Sequence, residues 1–486
     1  MVVLAAAAVA LWLAAGAQAA HAAFGDVYGV NAEDVFRLPE SSWDTHIDAM
    51  VGGGLTRIRS DASWQQVEPV APATPGAHRY DWSGLDRQVA ALARHGVRWL
   101  PIVSYGTTWA GQVPGDSLSP PRVADFAAYA HALARRYGRG GSFWAEHPSL
   151  PEWPVTRYEI WNEPNAAQFW RPQEGAPERY ADLYLAARSS LHRVDPAARA
   201  IVGGLALSNP GVISEGSFIR RMYRHRPDLR GNVDAVGFHP YAATVEGIYA
   251  KLRNFRDALT RVGAGEAPIE ITEVGWAFNE VGEQQRAAAL ARLADELPRS
   301  NCDVEGVLPY SWLGGEHDPA NREHWFGIFR ADATPKPSGS AYLSAVQRRR
   351  RLGGGSASPQ ICRPPTLRMR LRRRTRGQSS MVARFRCPEG CRLIVDVRRP
   401  IRSRKTVAAA GRRLTRRSLR FSTRRRTIRF RLAPRRRLVL LRATAVARSG
   451  AVNTRSRLIR RRCSSSRGRP HLWRCAHRAV KPRAAP

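Results

Sequence analysis

The chain has 486 residues, with 77 Lys and Arg against 40 Asp and Glu and a formal net charge of +37. A chain of that length exceeds one ordinary hydrophobic core, which excludes a single small domain. The charge is also uneven: residues 348–486 hold 45 Lys and Arg and only two acids, Glu389 and Asp396, leaving 32 basic and 38 acidic side chains in the preceding part. A mildly acidic domain is therefore joined to an extremely basic one, and the overall charge says nothing about the first.

The first 23 residues carry an apolar run from Val2 to Ala15 and then small residues, Ala17-Gln18-Ala19 and Ala20-His21-Ala22. Residues 1–23 read as a secretory signal peptide with an A-x-A cleavage site. They lack a basic n-region, and the alternative is a retained anchor. The run is shorter than the roughly 20 residues of a spanning helix, and no later stretch is apolar enough, so no transmembrane domain is expected. The product is expected outside the cell, either free or associated with the cell wall.

From Phe24 onward, β-prone runs alternate with amphipathic ones. Gly25 to Val30 is a first strand, and a helix near Trp43 to Met50 stops at Gly52-Gly53-Gly54. Leu55 to Arg59 follows as strand two. Leu85, Val89 and Leu92 share one face of a helix ending at Gly96, and Val97 to Ser104 is strand three. Val123, Phe126, Ala130, Leu133 and Tyr137 mark the next helix. Strand four begins at Tyr158 and leads into Asn162-Glu163-Pro164, where Pro164 removes a backbone donor. A helix through Tyr180, Leu183, Ala187 and Leu191 follows. Ala200 to Gly204, Val233 to Phe238, Pro268 to Glu273 and Val304 to Tyr310 give strands five to eight. Helical segments near Phe218 to His225, Val245 to Val262, Gln284 to Leu297 and Gly339 to Gln347 separate them. Eight β-α repeats predict an α/β (β/α)8 TIM barrel over residues 24–347. A doubly wound open sheet is the alternative, but no Gly-x-Gly-x-x-Gly follows the first strand.

Residues 348–360 have linker composition, an Arg run followed by Gly-Gly-Gly-Ser. Beyond them the period changes to two: Leu367-Arg368-Met369-Arg370-Leu371-Arg372 and Ile428-Arg429-Phe430-Arg431-Leu432 alternate strictly. With Leu393, Val395 and Val397 and the run Leu438 to Val446, this predicts a small basic β-sandwich over residues 361–465. Residues 466–486 read as a poorly ordered basic tail. Five cysteines fall in this region, against Cys302 alone before it, and the Cys387-Pro-Glu-Gly-Cys391 spacing could close a tight disulfide loop. No ligand cluster points to zinc, so neither a metal nor a cofactor is expected.

Strand seven reads Ile269-Glu270-Ile271-Thr272-Glu273-Val274-Gly275, so Glu273, like Glu163, ends a β-branched run. In a barrel all strands point their C-terminal ends at one face, and strands four and seven lie across it from each other. Two carboxylates across a cleft are what glycosidic bond cleavage needs: one protonates the departing oxygen, and the other attacks the anomeric carbon or activates water.

On these motifs residues 25–346 resemble the clan A retaining glycoside hydrolases, closest to family 39 (β-xylosidase-like) and family 5 (endoglycanase type). The resemblance implies that Glu163 is the acid/base and Glu273 the nucleophile. It also implies that Asn162 holds the sugar 2-hydroxyl, and that Arg59 and Tyr241 (of His239-Pro240-Tyr241) support the nucleophile. Trp312 would form the aromatic floor of the sugar subsite. Trp64 to Pro69, Tyr80-Asp81-Trp82, Phe326 to Phe329 and Lys336-Pro337 match further segments, with Glu68 read as structural. The sequence departs from family 5 at Ser104-Tyr105-Gly106, where a histidine is common. Glu159 and Glu270 read as interior polar residues. Trp109, Trp161, Trp170, Trp276 and Trp325 are either sugar platforms or core.

The expected function is hydrolysis of β-glycosidic bonds in a poly- or oligosaccharide with retention, by double displacement. The basic domain would attract acidic cell-wall or other polyanionic polymers, and no nucleic-acid motif accompanies it. The rival reading is a non-catalytic surface protein that binds glycan and polyanion.

Overall fold

The computed structural model describes residues 26–206 and 211–352. In the C-terminal part it describes residues 359–363, 367–372, 380–387, 391–398, 401–402, 407–408, 413–422, 426–431, 438–446, 452–466 and 469–480. The expected signal segment, residues 1–23, and residues 353–358 of the expected linker lie outside the described residues.

Eight strands run in chain order: β1 (Gly29–Asn31), β2 (Arg57–Ser63), β3 (Arg98–Ser104), β4 (Arg157–Ile160), β5 (Arg199–Leu205), β6 (Ala235–Phe238), β7 (Ile269–Val274) and β8 (Val304–Pro309). Each pairs in parallel with the next. A parallel bridge between Tyr28 and Val307 brings the last strand back to the first, so the sheet closes into a (β/α)8 barrel. The helices around it bury the faces their periodicity announced. Helix Val123–Tyr137 buries Phe126, Tyr129, Ala130, Leu133 and Tyr137. In helix Val245–Arg261 the Thr244 hydroxyl caps the Gly247 amide.

The barrel lumen is polar, and the period of two along each strand explains how. Arg57 and Arg59 of β2 both lie inside, as do Arg157 and Glu159 of β4 and Glu270 and Thr272 of β7. The first member of each pair belongs to one ion network, in which Glu270 accepts from Arg57 at 3.0 Å and also pairs with Arg157. The second member lies two residues, or about 6.6 Å, nearer the C-terminal rim of the barrel. Leu100, Ile201, Ala235 and Leu308, one each from β3, β5, β6 and β8, form a small apolar cluster.

The chain divides into two compact units between Ser356 and Ala357. Arg348 to Leu352, expected in the linker, continue the helix Pro337–Leu352. The second unit is all antiparallel. One sheet has the order β15 (Arg426–Arg431), β10 (Ser380–Arg386), β9 (Arg368–Arg372). The other has the order β14 (Arg413–Ser422), β11 (Cys391–Arg398), β16 (Leu438–Val446), β17 (Val452–Ser466), β18 (Arg469–Val480), and β12 (Ile401–Arg402) pairs with β13 (Val407–Ala408) in a ladder of their own. Leu367, Ala383 and Phe385 share a core with Leu393, Val395, Val397, Leu441 and Ala443, which makes the unit sandwich-like. One expectation is corrected. The segment read as a disordered tail forms strand β18, in ladder with β17 from Leu458 to Ser466; its arginines masked the strand pattern. The disulfide-bonded cysteines are Cys302 and Cys362, while Cys387 and Cys391 are buried in the core of the second unit.

Candidate active site

Beyond Ile160 the chain turns sharply: Trp161 and Glu163 both have positive φ, 69° and 43°. Such backbone costs on the order of 1–3 kcal/mol per residue and persists only where the surroundings over-determine it. Here they do. The Trp161 ring is fully buried, its indole N–H donates to the Phe169 carbonyl at 2.8 Å, and the Glu163 amide donates to the Gly204 carbonyl at 3.0 Å. The turn aims Glu163 over the barrel mouth, toward Glu273 near the end of β7.

One oxygen from each of Glu163 and Glu273 and one ring nitrogen of His239 lie within 4.8 Å of one another. Arg59 ties this group together. Its Nη1 donates to Glu273 Oε1 at 2.7 Å and to Asn31 Oδ1 at 2.6 Å, its Nη2 to Asn162 Oδ1 at 2.9 Å, and its Nε to Glu159 Oε2 at 2.6 Å. With Oδ1 held by Arg59, Asn162 presents its amide N–H2 to the cleft. The Tyr241 hydroxyl donates to Glu273 Oε2 at 2.9 Å. His239 meets Glu163 Oε1 through Nδ1 at 2.7 Å.

The two carboxyls are driven apart. Burial pushes Glu163 above the ordinary carboxylate range, more than its contact with His239 lowers it. Glu273 feels the same burial, but the charges of His239 and Arg59 and the Tyr241 hydrogen bond outweigh it and hold the group below that range. Burial alone would lower His239, yet Glu273 and the bond to Glu163 raise it. One acid that keeps its proton and one that sheds it can perform acid and nucleophile chemistry side by side. The three groups are also close enough to share a cation, but Arg59 and Tyr241 already donate to both oxygens of Glu273.

The cleft has a volume of about 800 Å³. Tyr105, Phe169, Trp276, Tyr310 and Phe326 give it aromatic walls, and Glu33, Asp34, Asp61 and Glu323 an acidic lining. Burial, and then the charge of Asp61, push Glu33 up to about 7.

Asn162, Glu163, Arg59, His239, Tyr241 and Glu273 are thus brought together, but Trp312 is not. It is fully buried behind the wall, stacked on Phe329 at 3.6 Å between centroids, with its indole N–H donated to His46. Tyr310, two residues earlier and just past the end of β8 at Pro309, lines the cleft instead. Of the other tryptophans considered, Trp276 alone lines the cleft. Glu68 accepts from Trp64, His78 and the Arg79 amide, a structural role. Sequence reasoning missed Asn31, whose amide donates to the carbonyls of Thr272 and Pro309 and so fastens β1 to β7 and β8. A buried-strand asparagine at the end of β1 was the one available signal.

No protein-family model matches the chain, and no curated protein does. Solved structures do match. One is a family 39 glycoside hydrolase from the gut symbiont Bacteroides cellulosilyticus WH2, at 19% identity over 83% of this chain and 81% of that one, with a TM-score of 0.50. The GH39 enzyme from Xanthomonas axonopodis pv. citri matches at 14% identity over 84% and 92%, TM-score 0.52. A monomeric β-xylosidase from Caulobacter crescentus CB15 matches at 15% over 84% and 94%, TM-score 0.50. At this identity the likeness shows the shared barrel fold alone.

Proposed function

We propose that the protein is a retaining O-glycoside hydrolase that cleaves β-glycosidic bonds in a poly- or oligosaccharide. The observation that carries the reading is the pair Glu163 and Glu273, on opposite strands, with oxygens within 4.8 Å and protonation pushed in opposite directions. Retention needs carboxyls about 5–5.5 Å apart, whereas inversion needs about 6.5–9.5 Å to admit a water between them. In the first step a Glu273 oxygen bonds to the anomeric carbon as the glycosidic C–O bond breaks, and the departing oxygen takes the Glu163 proton. In the second, a water loses its proton to Glu163 and displaces Glu273 from the sugar. Asn162 would hold the 2-hydroxyl through its amide.

An activated 2-deoxy-2-fluoro aryl glycoside should label wild-type protein once, on the peptide containing Glu273, and leave Glu273→Ala unlabelled. Hydrolysis with an inverted anomer by NMR, and no label, would overturn the reading. Absence of both hydrolysis and label across a broad glycoside panel would favour the glycan-binding alternative. The residue 1–23 pattern supports export, tested by amino-terminal sequencing of the secreted product. The arginine-rich unit supports retention on acidic polymers, tested by salt elution from a polygalacturonate matrix.

A further inference from the structure

His239 is 0% exposed, and both its ring nitrogens are engaged, Nδ1 with Glu163 and Nε2 with the Thr272 hydroxyl at 3.0 Å. The direction of those bonds follows from the groups behind them. Glu159, also 0% exposed, receives Arg59 Nε on Oε2, and the Gly204 amide (2.7 Å) and the Thr272 hydroxyl (3.0 Å) on Oε1. With a guanidinium and a backbone N–H aimed at it, Glu159 only accepts. Thr272 has a single hydroxyl hydrogen and gives it to Glu159, so its oxygen can only accept from the ring. Nε2 therefore carries a hydrogen.

We infer that Glu159 is a positioning residue for the proton donor: through Thr272 it fixes His239 as a ring that donates from Nδ1 to Oε1 of Glu163. A bare Nδ1, 2.7 Å from Glu163 Oε1 and 3.6 Å from Glu273 Oε2, could only accept the Glu163 proton, which would then be held against the ring and not offered to the leaving group. A protonated Nδ1 satisfies both halves of the reaction. While Glu163 is an acid, Nδ1–H occupies Oε1 and leaves Oε2 to carry the proton to the leaving group. Once Glu163 is a carboxylate, the same bond stabilises it. The charges agree: Arg59 and His239 as cations balance Glu159 and Glu273 as anions while Glu163 is neutral. The groups facing the ring are Glu163 and Glu273, Thr272 with Glu159 behind it, the Tyr241 ring at 6.5 Å between centroids, and the Arg59 charge. Because the other oxygen of Glu159 holds Arg59, and Arg59 holds Glu273, one buried carboxylate aligns both reacting groups.

The inference rests on the glycosidase reading, and Thr272→Val tests it without touching the Arg59 arm. The variant should move the basic limb of kcat/KM to lower pH, since the buried Nε2–H loses its acceptor and the imidazolium is disfavoured. Glycosides with poor leaving groups should lose about tenfold, part of what a general acid supplies, while dinitrophenyl glycosides, which leave unprotonated, change less than about twofold. Thr272→Ser should restore both. Glu159→Gln should lose more than Thr272→Val, since its amide must meet either Arg59 or the Gly204 N–H as donor against donor. An unchanged pH limb in Thr272→Val, an equal loss for all leaving groups, or a Ser variant as impaired as Val would overturn the inference. If the wild type hydrolyses nothing, the functional reading fails but the inference is still read. Ring 15N spectra, with His239 assigned by its loss in His239→Gln, should show Nε2 protonated in wild type and altered in Thr272→Val. A wild-type spectrum with either ring nitrogen bare would sink it.

Discussion

Gly204 gives the sharpest quantitative test. An ideal Cβ built on it would lie 1.9 Å from His239 Nε2, 2.5 Å from Cδ2 and 2.6 Å from Cε1. Since carbon atoms settle at about 3.5–4.0 Å, Gly204→Ala must drive the ring back by roughly 1.5 Å. Neither the 2.7 Å bond to Glu163 nor the 3.0 Å bond to Thr272 tolerates such a shift. Overpacking costs about 1–3 kcal/mol, and a buried donor left unmade about 1–3 more, so destabilisation of about 4 kcal/mol is expected. At about 2–4 °C per kcal/mol for a large domain, Tm should fall by about 10 °C. Displacing the partner of Glu163 by more than about 1 Å should also lower kcat/KM about 100-fold. Calorimetry and aryl-glycoside kinetics measure the two effects. Gly84→Ala is the control: it sits in helix Ser83–Arg94 with no atom within 4 Å of the added methyl, and should stabilise by up to about 1 kcal/mol. A Gly204→Ala protein with wild-type Tm and kcat/KM would refute the close packing of ring on strand, and with it the argument for His239.

Three further outcomes follow from the same geometry. Tyr241→Phe removes a donor that holds Glu273 below the carboxylate range, so the nucleophile's pKa rises. The acid limb of the pH profile should then move to higher pH, with about tenfold lower kcat/KM, as expected for one hydrogen bond to a charged group. Trp312→Ala should cost about 3–5 kcal/mol in urea unfolding while leaving KM of the folded protein unchanged; a raised KM would return Trp312 to the sugar site. Glu270→Ala strands Arg57 and should cost about 3–5 kcal/mol with the pH profile of activity unmoved. Glu270 itself is buried, yet Arg57 and Arg157 hold it below the ordinary range. Its contribution should therefore be complete above the unfolded-state pKa and fade as pH falls through the folded value, which unfolding at a series of acidic pH values would show.

The barrel was readable because its signals are local. Strand Val304 to Tyr310 and helix Val245 to Val262 were expected within a residue or two of β8 and Val245–Arg261, since β-branched runs and 3.6-residue spacing do not depend on the rest of the fold. The facing pair Glu163 and Glu273 was readable for a similar reason: each follows an apolar run at a strand end. Trp312 was misplaced because sequence cannot say which way a chain turns after a strand, and a shift of two residues handed the cleft wall to Tyr310. Asn31 and Thr272 were invisible because they act through partners 241 and 33 residues away, a distance no local pattern encodes.

Glu159 and Glu270 show where residue type stops being informative. Both are glutamates inside a parallel barrel, both fully buried, and both bound to arginines of β2 two residues apart, Arg59 and Arg57. The Glu270 network stays away from the cleft: arginines occupy both its oxygens, and neither Arg57 nor Arg157 lines the opening. It can only stabilise. The Glu159 network does reach the cleft, since Arg59 holds Glu273 and Thr272 holds His239, which in turn meets Glu163, and both glutamates line the opening. A step of about 6.6 Å along the strands therefore separates a structural ion pair from a device that sets the direction of a proton. That step makes the two layers separable by experiment, with Glu270→Ala moving Tm and not the pH profile, and Thr272→Val moving the pH profile and the leaving-group dependence together.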